Sequence, residues 1–106
     1  MTRALPLIFL LPGLALAAPA VPASSLAKPA KLGQCVACHG EDGHSRVAGT
    51  PHLAAQDETY LINALAAFRE GRRQGAPMNA IANTLQPRDI AALARWYATR
   101  APGRQP

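Results

Sequence analysis

An all-α domain is predicted by two observations: no stretch alternates apolar and polar residues as a half-buried strand would, and apolar residues recur at helical spacing in two long segments. No internal repeat is visible either. About four to five helices must therefore serve a domain spanning residues 26–100. They have little to bury, because the chain of 106 residues holds two Phe, two Tyr and one Trp. A domain this small is near the limit at which a core sustains itself, and it calls for a staple or a cofactor. Its only two cysteines, Cys35 and Cys38, would close too small a loop to restrain much chain entropy. A large apolar cofactor serves better: burying on the order of 400 Å² of its surface contributes roughly 10 kcal/mol as an upper bound.

The elements follow in order. Met1, Thr2 and Arg3 precede an apolar run over residues 4–18, the charged start and greasy middle of a secretory signal peptide over residues 1–17. Ala15-Leu16-Ala17 supplies a small-x-small cleavage site near Ala17. A retained anchor is the rival, but the run falls short of the roughly 20 residues a span needs, and Pro6 and Pro12 interrupt it. No spanning segment is expected in the mature protein, which would be periplasmic. Residues 18–25, rich in Pro, Ala and Ser, read as a flexible leader, and residues 101–106 as a loose tail.

The first helix is expected over residues 29–38, with Pro29 tolerated in its first turn. A second, over residues 57–70, places Leu61, Ala64, Leu65 and Phe68 on one stripe. Asp57 and Glu58 suit its positive end, and Arg69 and Gly71 its finish. A short helical turn is expected over residues 79–85. The last helix has Gln86 as a weak cap, Pro87 at its first position, and a buried face of Ile90, Leu93, Trp96 and Tyr97, continuing through Arg100.

Chemistry is concentrated at Cys35-Val36-Ala37-Cys38-His39, the C-x-x-C-H pattern of covalent haem attachment. On a helical turn residues 35 and 38 share one side, so two thiols can each add to one haem vinyl group. His39, next in sequence, then falls beneath the iron as an axial ligand. Three alternatives stand beside this. A redox dithiol would want a βαβ context, a zinc site would need His44 and His52 as further ligands, and a simple disulfide leaves His39 unexplained. Met78 is the only methionine besides Met1 and lies in the turn-rich segment Gly75-Ala76-Pro77-Met78. Core filler is one account of it. The other is a sixth ligand, which would leave no open position for substrate and so favour electron transfer. His44 and His52 are rival ligands. Arg72 and Arg73, beside the Met78 loop, are candidates to neutralise haem propionates, or else complement the negative end of the preceding helix.

Over residues 31–98 the chain resembles the class I cytochromes c, in particular one domain of cytochrome c4 and the small bacterial cytochromes c553. The likeness rests on Cys35-Val36-Ala37-Cys38-His39-Gly40, Asp42-Gly43, Pro51-His52-Leu53-Ala54-Ala55-Gln56, Tyr60-Leu61, Phe68-Arg69-Glu70-Gly71-Arg72-Arg73, Met78, Leu85 and the run from Asp89 to Tyr97. It implies a small cytochrome c fold around one haem, with the first and last helices crossing and one haem edge exposed. It also implies that the Pro51 carbonyl accepts a hydrogen bond from His39, fixing the imidazole. Two departures matter. Where the family has a glycine about seven residues before the first Cys, this chain has Lys28, and Gly33 is expected to compensate in part. Cytochromes c4 also carry two such domains, and this chain has one.

Together these residues imply a non-enzymatic one-electron carrier between a redox donor and an acceptor, such as a membrane oxidase or a dehydrogenase. A bound subunit of a larger dehydrogenase and a haem protein with an open sixth site are the alternatives. The net charge of +5 fits either solubility or docking to an acidic partner. Nucleic acid is not an expected partner, since the basic residues are scattered and the chain is exported.

Overall fold

The computed structural model describes residues 1, 3–19 and 26–103 and contains only helices among them: α1 (Gly33–His39), α2 (Glu58–Arg69), α3 (Met78–Asn83) and α4 (Pro87–Ala98). Most of the expected leader, residues 20–25, and the tail residues 104–106 lie outside the described residues. Residues 3–19 form no helix and leave Leu5 to Leu16 exposed. No helix of the described residues is long and apolar enough to cross a membrane.

The first helix starts later than expected. Residues 29–32 instead form tight turns, with the Leu32 N–H donating to the Pro29 carbonyl at 3.0 Å and the Cys35 N–H to Leu32 at 2.9 Å. The α-helix begins at Gly33, with Leu32 as an N-cap that makes no side-chain hydrogen bond. It continues one residue past Cys38 to include His39 and stops at Gly40, whose φ of +78° belongs to the left-handed region. A Cβ at Gly33 would meet nothing within 4 Å, so this glycine compensates for no missing close approach. Lys28 reaches Glu41 at 2.8 Å, and contact with the core passes instead to Leu32, Cys35 and Val36.

The second helix starts as its sequence dictates, Asp57 accepting the Tyr60 N–H at 2.8 Å, and ends before Gly71 at φ +75°. The third begins at Met78, one residue early. It also ends early, because the N–H groups of Thr84 and Leu85 turn back onto Ile81 and Ala82 three residues behind. Gln86 proves a stronger cap than its residue type promises. Its N–H donates to Asp89 at 2.9 Å while its own side chain accepts from the Asp89 backbone, a reciprocal box with Pro87 at the first helical position. The last helix finishes at Ala98, where the Thr99 hydroxyl takes the Arg95 and Trp96 carbonyls.

The core gathers Leu32, Leu61, Leu85, Ile90, Leu93, Ala94, Trp96 and Tyr97. The second helix packs on the fourth and on the third, while the first joins through one edge of this cluster. So small a core makes each member costly to lose. Leu85→Ala, at a side chain 1% exposed, is expected to destabilise the folded protein by about 2–5 kcal/mol in denaturant unfolding. Asp89→Ala, which opens the capping box, should cost about 1 kcal/mol by the same measurement.

Candidate functional site

The geometry of the first helix brings the two thiols to one side, three residues apart. Cys35 is half-buried and Cys38 exposed, both free, and both line a single cavity of ≈ 320 Å³. Its other walls are mainly apolar: Leu61, Leu65 and Phe68 from α2, Ile81 from α3, Leu93 from α4. His39 closes the helix and is buried, with Nδ1 2.9 Å from the Pro51 carbonyl. A carbonyl only accepts, so Nδ1 carries the proton and Nε2 keeps its lone pair. Met78, half-buried at the start of α3, lines the same cavity. Cys35, Cys38, His39, Pro51 and Met78 therefore meet around one space.

Pro51 has no N–H of its own, so other groups must set its position. Four sets of bonds fold residues 40–56 on themselves and back onto the helices. The Gly43 carbonyl accepts from Leu53 at 2.8 Å and Ala54 at 3.2 Å, and the Ala55 N–H donates to the Tyr97 carbonyl at 3.1 Å. The Ser45 hydroxyl donates to the Cys38 carbonyl at 2.8 Å. From α4, the Trp96 indole N–H donates to the Glu41 carbonyl at 2.8 Å, and the Tyr97 hydroxyl to the Gly40 carbonyl at 2.9 Å. Burial, reinforced by nearby acidic groups, pushes the Tyr97 phenol far above its ordinary range, so it stays a donor. Burial likewise pushes the Cys35 thiol up.

Gly43 is obligatory at this crossing. Its φ is +80°, and a Cβ would lie 2.6 Å from the Ala54 nitrogen. Asp42 beside it is held below the usual carboxylate range chiefly by the His44 backbone N–H, with the His44 ring 3.2 Å away.

The remaining candidates separate. Arg72 is exposed and paired with Glu70 at 2.7 Å, away from the cavity lining. Arg73 does line it, its guanidinium 4.6 Å over the Phe68 ring and Nη1 3.5 Å from the Tyr60 hydroxyl. His44 is not part of the lining. His52 reaches the cavity, but its Nδ1 accepts the Ser45 N–H at 2.9 Å, which assigns the proton to Nε2 and leaves no free lone pair. Among the described residues no three His, Cys, Asp or Glu side chains gather as a metal cluster, and no strand provides a βαβ setting for a dithiol.

Two thiols on one helical side, an imidazole with one nitrogen committed, a thioether from another helix, apolar walls and a guanidinium fit a covalently held haem with ionised carboxylates. Sequence reasoning treated Trp96 and Tyr97 as packing and gave Asn79 no role beyond starting a helix. The polar ends of all three make structural bonds. An Asn directly after Met78 was the one visible signal for the last.

Comparisons with known proteins point the same way. The family model described as Cytochrome c matches residues 27–100. Cytochrome c-554(548) of Halomonas halodenitrificans is 41% identical over 73 residues, covering 66% of this chain and 88% of that protein. A protein of Thiomonas intermedia named thiosulfate dehydrogenase electron acceptor is 39% identical over 88 residues, covering 82% of this chain and 41% of that one. Among solved structures, reduced recombinant cytochrome c4 from Pseudomonas stutzeri superposes with a TM-score of 0.61 at 30% identity, over 76% of this chain and 47% of that chain. The chain thus spans most of the first relative and less than half of the other two.

Replacing Gly43 by Ala should destabilise the folded protein by about 2 kcal/mol or more, since both the backbone conformation and the Ala54 contact oppose a side chain. Denaturant unfolding of the variant measures this. Unaltered stability would mean the crossing yields easily.

Proposed function

This chain belongs to the cytochrome c family and is a monohaem electron carrier, and we propose that Cys35 and Cys38 bind its haem c through thioethers while His39 and Met78 ligate the iron. The observation that carries this assignment is the convergence of both thiols, the Pro51-bound imidazole and the Met78 thioether on one apolar cavity. When bound, haem supplies reversible one-electron chemistry at iron. The chain's own groups do the rest. The Pro51 carbonyl orients His39 and raises its basicity through the Nδ1 proton. Leu61, Leu65, Phe68 and Leu93 exclude water, which lowers the local dielectric and so conditions the potential. A sulfur ligand filling the sixth position leaves no site for a substrate, in keeping with a carrier that is not itself an enzyme.

For the propionates we assign Arg73 in preference to Arg72. Its stacking on Phe68 holds a guanidinium at the cavity, whereas the Arg72 side chain is engaged by Glu70. The rest of the basic surplus lies off the cavity lining and accords with solubility. Residues 1–17 act as a signal peptide cut near Ala17, delivering the carrier to the periplasm, with residues 18–25 as a leader, residues 26–100 as the domain and residues 101–106 as a loose tail. Redox proteins are its partners on both sides. The name of the Thiomonas intermedia relative supports a dehydrogenase as one class of donor, and a membrane oxidase is a candidate acceptor.

Mature protein should retain its haem through acid-acetone extraction, and replacing both Cys35 and Cys38 by Ala should abolish that retention. A stable apo protein with a Cys35 to Cys38 disulfide would refute the assignment. Met78→His should lower the midpoint potential with the haem still attached, and Met78→Ala should admit carbon monoxide to the ferrous protein. If Met78→Ala leaves spectrum and potential unchanged, another residue closes the iron, and carbon monoxide binding to the wild type would indicate an open sixth site.

A further inference from the structure

The residue after Met78 is tied to three backbone groups that frame the loop in front of it. Asn79 Oδ1 accepts the Gly75 N–H at 2.9 Å, while Nδ2 donates to the Phe68 carbonyl at 2.9 Å and to the Arg73 carbonyl at 2.8 Å. The Asn79 N–H returns a bond to the Gly75 carbonyl at 3.2 Å. The partners settle the amide's orientation, because two carbonyls can only accept and an N–H can only donate. One side chain thus joins the last turn of α2, two points of the 71–77 loop and the first turn of α3.

Other bonds hold the start of that loop, the Arg73 N–H donating to the Ala67 carbonyl at 3.1 Å and Gln74 Nε2 to the Gly71 carbonyl at 2.9 Å. Asn79 makes the side-chain bond to Gly75, next to the Met78 turn. The loop contains no regular structure and includes Gly71, Gly75 and Pro77. Gly75 lies so close to Phe68 that a Cβ there would sit 3.1 Å from the ring, and Arg73 stacks on the same ring. Phe68 is therefore the apolar footing of the loop, and Asn79 its polar fastening. A chain segment that must present one side chain at a fixed place needs such an anchor, since unfastened backbone spreads over many conformations.

We propose that Asn79 is the positioning residue for Met78: its amide fixes the loop to the end of α2 and so sets the fraction of molecules in which the thioether reaches the iron. This rests on the reading of Met78 as axial ligand. A freed loop raises the fraction with an open sixth position. Apparent affinity for an added ligand rises in proportion to that fraction.

The test uses mature holoprotein and imidazole as the probe. Asn79→Asp keeps an acceptor for Gly75 but removes both donors and turns an oxygen toward two carbonyls. It should weaken the red absorption of ferric iron bound to a methionine sulfur, and it should raise imidazole affinity about tenfold or more, the scale of one to two lost hydrogen bonds. Met78→Ala provides the reference. If that variant loses the red band while Asn79→Asp matches wild type in both band and affinity, the ligand stands and the positioning role is overturned. If Met78→Ala itself retains the band, the ligand reading fails instead. Should Asn79→Asp not fold, the wild type still decides: saturating imidazole should speed exchange of the Gly75 amide hydrogen about tenfold while amides of α4 keep their protection. Unchanged Gly75 exchange would show that the fastening is not coupled to the ligand.

Discussion

Two hydrogen bonds from the last helix to the carbonyls of Gly40 and Glu41 hold the rest of the site in register. The Trp96 indole and the Tyr97 hydroxyl are the donors, and both rings belong to the core that fixes α4 against α2. The segment they grip starts where α1 ends and returns to place the Pro51 carbonyl beside His39. Leaving either carbonyl without a partner in this half-buried setting would carry the full cost of its lost hydration. Packing of α4 and orientation of an imidazole on α1 are therefore one structural decision. The aromatic rings supply the burial, and their polar tips supply the aim.

Much of this was legible in the sequence because its signals were local. The C-x-x-C-H spacing, the stripe from Leu61 to Phe68 and the Asp57 and Pro87 starts each depend on neighbours within one or two turns. What escaped was set by contacts in space that residue type and spacing do not specify. The turns after Pro29 resemble a helix start in sequence, yet the helix begins at Gly33, and the burial of Leu32 marks where the segment joins the core. Arg72 and Arg73 are adjacent and chemically alike. Their different fates turn on Glu70 for one and the Phe68 ring for the other. Asn79 looks like an ordinary polar residue until Phe68 and Arg73, eleven and six positions earlier, are seen to present their carbonyls to it.

The division of labour within α2 follows from its position. Leu61 and Leu65 serve both the core shared with α4 and the cavity, while Phe68 lines the cavity alone. A helix that serves both surfaces has fewer side chains for either, which explains a core of only eight well-buried residues in the cluster. Such a domain has a stake in its cofactor beyond redox chemistry, because folding buries the attached group's apolar surface and so adds to stability.

Tyr97 also has a place in time. It follows both Gly40 and Ala55 in the chain, and its hydroxyl and carbonyl hold them. A polypeptide emerging from its N-terminus displays Cys35, Cys38 and His39 long before the residue that pins the neighbouring loop has been made. The loop therefore locks only once α4 has been made and packed. A chain cut before Trp96 lacks both donors to the Gly40 and Glu41 carbonyls and never closes this segment. The last turn of α4 is a latch that arrives after everything it holds.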